Sequence, residues 1–381
     1  MGLSAEIVFR RLPDVTALLV ALLVQWRVFR VLTQRFPNCI WIRTFMVCSA
    51  VWTVIGFVPV SWFPYWGILP WVKAGGFAWA VATTAAWILY WVWGRIGKMV
   101  PGFDPGRRQA LNMIRTATLA APAATLGYGV LIGRRDMHLR EIEIPIRGLH
   151  KDLDGLRLVQ VTDIHLGPFF EPRDLEWAIG MANETKANVA LVTGDLVTAR
   201  RDPLDQCIQL LKKLKADAPI LGCLGNHEIH AACQDEAEEL GRRAGITFLR
   251  SASRLHSFGQ ANINFVGVDY QPKFSPYLVG TEKLMTPGVL NVLLSHNPDV
   301  FGEAAAKGFD LTIAGHTHGG QITVEILGDA VNFARFYTPY VYGRYEKEGK
   351  FIYVSRGLGT VGMPVRVGAP PEVSLIKLCA T

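Results

Sequence analysis

The chain has 381 residues, half of them hydrophobic, with a formal net charge of +7. That length admits two or three domains, or one domain beside a membrane part, and the charge taken alone would suggest a nucleic-acid partner. Its distribution excludes that partner. Residues 1–135 hold 14 Lys and Arg against 3 Asp and Glu, whereas residues 136–381 hold 25 against 29. The basic excess therefore flanks apolar segments, and the rest of the chain is too acidic to lean on cationic contacts with duplex phosphate.

In chain order, the first feature is a short apolar run at residues 15–26, which crosses a bilayer only if Leu12, Pro13 and the region of Arg27 belong to it. Three longer uncharged runs follow, at residues 44–62, 74–94 and 116–133, each near the ~20 residues that a membrane helix needs. Pro122 is tolerable in the last of them. Trp62, Trp66, Trp71, Tyr90, Trp91 and Trp93 sit near run ends, where an aromatic belt would be. Residues 1–135 are thus expected to form a multi-pass membrane region of three to four helices. Arg27, Arg30, Arg35 and Arg43 lie between the first and second runs, and Arg95, Lys98, Arg107, Arg108 and Arg115 between the third and fourth. Only Lys73 lies between the second and third. The positive-inside rule then puts the chain after Gly133 on the outer, periplasmic side of a bacterial inner membrane, with Arg134, Arg135 and Arg140 arguing less strongly the other way. The Arg107-Arg108 pair ahead of an apolar run also matches part of a twin-arginine export signal.

From about Leu139 the texture changes. The segment LREIEIPI alternates like a strand with one exposed face. Apolar runs at 157–161, 189–193, 220–224, 263–268, 290–295, 311–314, 351–355 and 373–378 read as strands, and 175–184, 204–214 and 234–244 as helices. Alternation of the two predicts an α/β architecture over residues 136–381. The six cysteines, at 39, 48, 207, 223, 233 and 379, show no CxxC spacing and read as small buried hydrophobes.

The chemistry sits where those strands end. Asp163 and His165 follow the first run, Asp195 the second, and Asn226, His227 and Glu228 the third. His296 follows a later one, and His316 and His318 follow the next, in AGHTHGGQ. In open α/β sheets ligands gather beyond the carboxyl ends of strands. Two imidazoles at i and i+2 on an extended segment share a face, so each can serve one ion of a closely spaced pair, with adjacent glycines supplying positive φ. Oxygen and imidazole donors without thiolate suit Mn, Fe, Zn or Mg, and Asp195 is the natural carboxylate between two cations.

These motifs, D-x-H, G-D, G-N-H-E, H and G-H-x-H in this order, resemble the calcineurin-like metallophosphoesterases over residues 156–377. The resemblance implies a four-layer αββα sandwich and two divalent metal ions. Asp163, His165, Asp195 and His318 would hold one ion, and Asp195, Asn226, His296 and His316 the other. His227 would act as general acid or transition-state stabiliser, with Glu228 orienting it. The implied reaction is hydrolysis of a phosphate monoester or diester by a hydroxide between the ions. GHTHGGQ and SRGLGTVGMPVR resemble the membrane-anchored branch, and there Gln321, Arg356 and Arg366 are candidate substrate contacts. Two other readings stand beside this one. The first is a pyrophosphatase acting on a lipid-linked nucleotide, of the UDP-2,3-diacylglucosamine type, with a cytoplasmic site. The second is a membrane transporter or sensor with a regulatory metal-binding domain; the absence of Asp, Glu and Lys from the three long runs disfavours it.

Overall fold

The computed structural model describes residues 3–58, 67–99, 105–273, 275–326 and 329–381. The chain forms two compact units, Met1–Val130 and Leu131–Thr381.

The first unit is helical: α1 (Leu3–Arg35), α2 (Ile40–Phe57), α3 (Leu69–Met99) and α4 (Pro105–Tyr128), the last running into a π-turn at Gly129–Gly133. Four stretches are long and apolar enough to cross a membrane: Pro13–Arg35, Ile40–Phe57, Leu69–Gly97 and Arg108–Gly133. The short first run therefore belongs to a longer helix that passes through Pro13 and Arg27. Lys73, expected in a loop, lies inside α3, where its Nζ donates to Gly56 O at 3.3 Å. Trp62, Trp66 and the end of the run over residues 44–62 fall outside the described residues. Helices α2 and α3 meet through glycine. A Cβ on Gly76 would stand 2.2 Å from Trp52 O, and one on Gly56 would stand 2.3 Å from Phe77 N. Backbones this close are how helices gain contact where lipid removes the hydrophobic drive to associate. Trp79 Nε1 donates to Ser49 Oγ at 2.6 Å and Trp52 Nε1 to Val72 O at 2.8 Å, tying the same pair. Leu19, Leu23, Ile40, Trp41 and Val47 point outward, as an apolar solvent allows.

The second unit runs β1 (His138–Ile146), β2 (Arg157–Val161), α5 (Pro172–Glu184), β3 (Val189–Thr193), α6 (Leu204–Leu211), β4 (Ile220–Cys223), α7 (Asn226–His230), α8 (Gln234–Ala244), β5 (Ile246–Phe248), β6 (Ala252–Phe258) and β7 (Ala261–Gly267). It continues with β8 (Leu290–Leu294), α9 (Phe301–Lys307), β9 (Leu311–Ala314), β10 (Thr323–Ile326), β11 (Asp329–Asn332), β12 (Gly343–Lys347), β13 (Lys350–Val354) and β14 (Glu372–Ala380). Two six-stranded sheets result, ordered β1-β14-β2-β3-β4-β5 and β12-β13-β9-β8-β7-β6, with β10-β11 a separate hairpin.

The layering follows from which side chains need cover. β3 is buried along its whole length, as a strand covered on both faces must be. One face, with Val189 and Leu191, joins Leu158, Ile263, Phe265, Val292, Leu311 and Ile376 in a core between the sheets. The other, with Ala190 and Val192, packs beneath the helices. In α5 the buried positions Leu175, Ala178, Ile179 and Ala182 fall at helical spacing on one stripe. That helix starts at Pro172, where the Asp174 carboxylate accepts the Glu171 amide at 2.9 Å. On the far side α9 covers the second sheet with Phe301, Ala304 and Ala305. The result is a four-layer αββα sandwich, and β2-β3-β4 and β7-β8-β9 each run parallel within their sheets.

Candidate metal centre

Every sequence-predicted donor sits in a loop that leaves the carboxyl end of a parallel strand. Asp163 and His165 follow β2, Asp195 follows β3, and Asn226 opens α7 after β4. His296 follows β8, and His316 and His318 follow β9. Both sheets contribute, and the loops converge. Donor atoms of Asp163, His165 and His318 lie within 4.8 Å of one another, as do those of Asp195, His296 and His316, and those of His165, Asp195 and His227. Asp195 stands between the first two groups: its Oδ2 is 2.9 Å from His296 Nε2 and 3.6 Å from His165 Nε2. Asn226 is buried, with an Oδ1 that has no hydrogen-bond partner among the described residues.

The pattern of protons shows what the space between these atoms would accept. His296 Nδ1 lies 2.7 Å from Thr193 O, a carbonyl that can only accept, so Nδ1 carries the ring's proton. A neutral His296 then turns the lone pair of Nε2 toward Asp195 Oδ2, and Nε2 makes no aligned hydrogen bond among the described residues despite that 2.9 Å separation. Arg366 Nη2, which can only donate, stands 3.3 Å from His318 Nδ1, so His318 carries its proton on Nε2 and donates it to His165 Nε2 at 3.2 Å. The lone pairs of His296 Nε2 and Asp195 Oδ2, converging in a buried place, require a positive charge between them. In a metal-free chain a proton supplies it: burial alone pushes His296 down, but Asp195 and Asp163 outweigh burial and raise it to about 10. Burial lowers His165 and His316 to about 3 and His318 further, leaving three neutral imidazole donors at pH 7. Burial raises Asp163 to about 6, while Asp195, although burial opposes it, is held well below the usual carboxylate range by His296. A donor set of carboxylate, amide oxygen and imidazole fits divalent cations of the Mn, Fe, Zn and Mg kind.

The local backbone differs from expectation. The Gly-His-Thr-His segment is not extended: His316 has φ +76° and His318 φ +52°, and a 3-10 turn runs over His318–Gly320. Asp163, Asp195 and His165 are also left-handed, at +52°, +54° and +49°. Gly194, Gly319 and Gly320 take positive φ as expected, at +90°, +60° and +79°, and the donors take it as well. Other glycines serve as clearance. A Cβ on Gly225 would lie 2.1 Å from Asp195 Oδ1, and one on Gly315 would lie 2.2 Å from Asp163 Oδ2.

Four candidates also make structural contacts of their own. Glu228 makes no described contact with the His227 ring. Its fully buried carboxylate accepts from the amides of Asp195, Leu196 and Gly225 at 3.0, 2.7 and 2.7 Å, fixing two ligand loops to each other. Gln321 holds the loop over residues 361–363, donating to Val361 O and Met363 O and accepting from Val361 N. Arg366 is fully buried and donates to the carbonyls of His318, Arg356, Gly357, Gly359 and Ala369. Arg356 stacks its guanidinium 4.3 Å from the Tyr342 ring and stands 3.9 Å from Glu372. Arg356 Nε has no hydrogen-bond partner among the described residues.

His227, half-buried, packs edge-on against His165 with ring centroids 4.7 Å apart, and its amide donates to Asp195 Oδ1 at 2.9 Å. Sequence reading missed two neighbours. Thr198 lies 2.9 Å from His165 through its Oγ1 and 2.9 Å from His227 Nδ1 through its carbonyl. Tyr270, whose ring centroid is 5.3 Å from that of His316, follows β7, so the rule that located the other residues would have found it.

An αββα sandwich whose strand ends gather carboxylates and imidazoles around two shared spaces defines a metal-dependent phosphoester hydrolase. The comparisons agree. Residues 156–320 match the calcineurin-like phosphoesterase family model. An uncharacterized metallophosphoesterase of Bacillus subtilis (strain 168), YkuE, is 31% identical over 72% of this chain and 98% of its own length. An uncharacterized metallophosphoesterase of Aquifex aeolicus (strain VF5) is 31% identical over 58% of this chain and 85% of its own. A "transmembrane protein with metallophosphoesterase domain" from Danio rerio is 28% identical over 71% of this chain, which spans 63% of that protein. The chain belongs to the calcineurin-like phosphoesterase family, and with its four membrane-length helices it is a membrane-associated member.

Proposed function

We propose that this protein is a multi-pass, membrane-anchored hydrolase of phosphate monoesters or diesters that works with two divalent ions at an outward-facing site. The position of Asp195, whose Oδ2 faces both His296 and His165, carries the reading. Asp163, His165, Asp195 and His318 would hold one ion, and Asp195, Asn226, His296 and His316 the other. Bound there, the ions would neutralise phosphate charge and make water nucleophilic near pH 7.

The chain's own groups do the rest. Glu228 keeps the Asp195 and Gly225 loops in register. Asp195 Oδ1 holds the His227 amide. Since His227 Nδ1 donates to the Thr198 carbonyl, Nε2 is the nitrogen left to face a leaving oxygen, serving it as acid or hydrogen-bond donor when the ring carries a second proton there. A lipid-linked phosphoester suits an enzyme whose chain is anchored in a bilayer.

The test is hydrolysis of aryl phosphate monoesters and diesters by the purified full chain, with Mn, Mg, Zn or no added metal. Activity abolished by a chelator and restored by one of these ions is the expected result. Full turnover after exhaustive chelation would overturn the reading.

A further inference from the structure

His165 and His227 both turn Nδ1 toward one residue, Thr198, that is not a candidate ligand. For His165 to aim Nε2 at Asp195, 3.6 Å away, its proton must sit on Nδ1, and the group facing Nδ1 is Thr198 Oγ1 at 2.9 Å. For His227 to turn Nε2 outward, Nδ1 must be tethered as a donor, and the group facing that nitrogen is the Thr198 carbonyl at 2.9 Å. The peptide carrying both acceptors is itself pinned. Asp202, buried, accepts from the amides of Thr198 and Ala199 at 2.7 and 2.9 Å.

We propose that Thr198 is a positioning residue that sets the tautomer and aim of His165 through its hydroxyl and of His227 through its carbonyl, with Asp202 holding it in place. The two arms are separable. Thr198→Val keeps the shape and the carbonyl but leaves His165 Nδ1–H buried without an acceptor. Thr198→Ser keeps the acceptor. Asp202→Ala releases the peptide and disturbs both arms together.

This inference rests on the metal reading above, so the first readout is binding rather than turnover. The full chain in detergent, stripped of metal, is titrated calorimetrically with Zn²⁺ alone. Thr198→Val is expected to weaken Zn²⁺ binding by ~10–100-fold, the usual cost of losing an outer partner of a ligating histidine, and Thr198→Ser to bind like the parent. At saturating Zn²⁺, Thr198→Val recovers most of its aryl phosphate kcat. Asp202→Ala does not, because His227 stays misaligned. Thr198→Ala repeats the first arm if the valine variant does not fold. Parental Zn²⁺ affinity in the valine or alanine variant would overturn the proposal. So would a serine variant as weak as the valine one, or an Asp202→Ala kcat equal to the parent's at saturating Zn²⁺. A parent chain that binds no Zn²⁺ would instead overturn the metal reading itself.

Discussion

At the scale of single residues, the site competes for protons as well as for ions. Asp163, raised to about 6 by burial, loses its proton between roughly pH 5 and 7. His296, raised to about 10 by its carboxylate neighbours, still holds one at pH 7. Cation binding must displace both, so affinity rises with pH, steeply across the Asp163 window and more gently toward 10. The neutral imidazoles work the other way on the metal-free fold. His165 and His316, lowered to about 3, contribute stability that is complete above about pH 6.5 and is lost as pH falls toward 3, because the unfolded chain binds the protons they refuse. Calorimetric Zn²⁺ titrations in buffers of differing ionisation enthalpy should show net proton release at pH 7, more than at pH 8.5 by Asp163's residual share. Binding that is proton-neutral at pH 7 would contradict the arrangement around His296.

At the scale of elements, spacing alone revealed much of the sandwich. The strands at Arg157–Val161, Val189–Thr193 and Leu311–Ala314 coincide with their apolar runs because parallel strands covered on both faces are predominantly apolar. Strand β6 stayed hidden: it is an edge strand with mostly exposed side chains, and its polar sequence carries no burial signal. The α7 turn gives no sequence signal because five residues are too few to show a period. The candidate donors were legible for a related reason, since each directly ends a strand the eye can find. Thr198, three residues further into its loop, owes its place to Asp202 and has no such marker. The clearance around the donors yields a direct prediction. Gly225→Ala would push a methyl group to within 2.1 Å of Asp195 Oδ1 with backbone on the other side. Displacing Asp195 should lower kcat by on the order of a hundredfold or more, while the melting temperature under chelation shifts by only a few degrees. An alanine variant with parental turnover would show that Asp195 has room to move.

At the scale of the whole molecule, the outward orientation proposed above rests on the distribution of charge. Arg27, Arg30, Arg35 and Arg43 cluster about the first helix connection, and Arg95, Lys98, Arg108 and Arg115 about the third. All lie on helices rather than in the connections, but still near the same ends. Lys73 stands nearly alone at the second connection, tied to Gly56 O. Arg134 counts less against this orientation than its charge suggests, since its Nη1 donates to Phe169 O at 2.6 Å as part of the catalytic unit. A reporter fused after Thr381 should therefore be active as alkaline phosphatase and dark as green fluorescent protein. The opposite pattern would move the catalytic unit to the cytoplasm and favour a nucleotide-linked lipid as substrate.

Five donor-bearing residues, Asp163, His165, Asp195, His316 and His318, occupy backbone territory that glycine enters freely and they do not. Each pays on the order of 1–3 kcal/mol to be there. Glycine at any of them would ease the chain and delete a ligand in the same stroke. A lineage released from hydrolysis would thus have a thermodynamic incentive to dismantle this centre, and the chain in hand has not taken that step at any of the five.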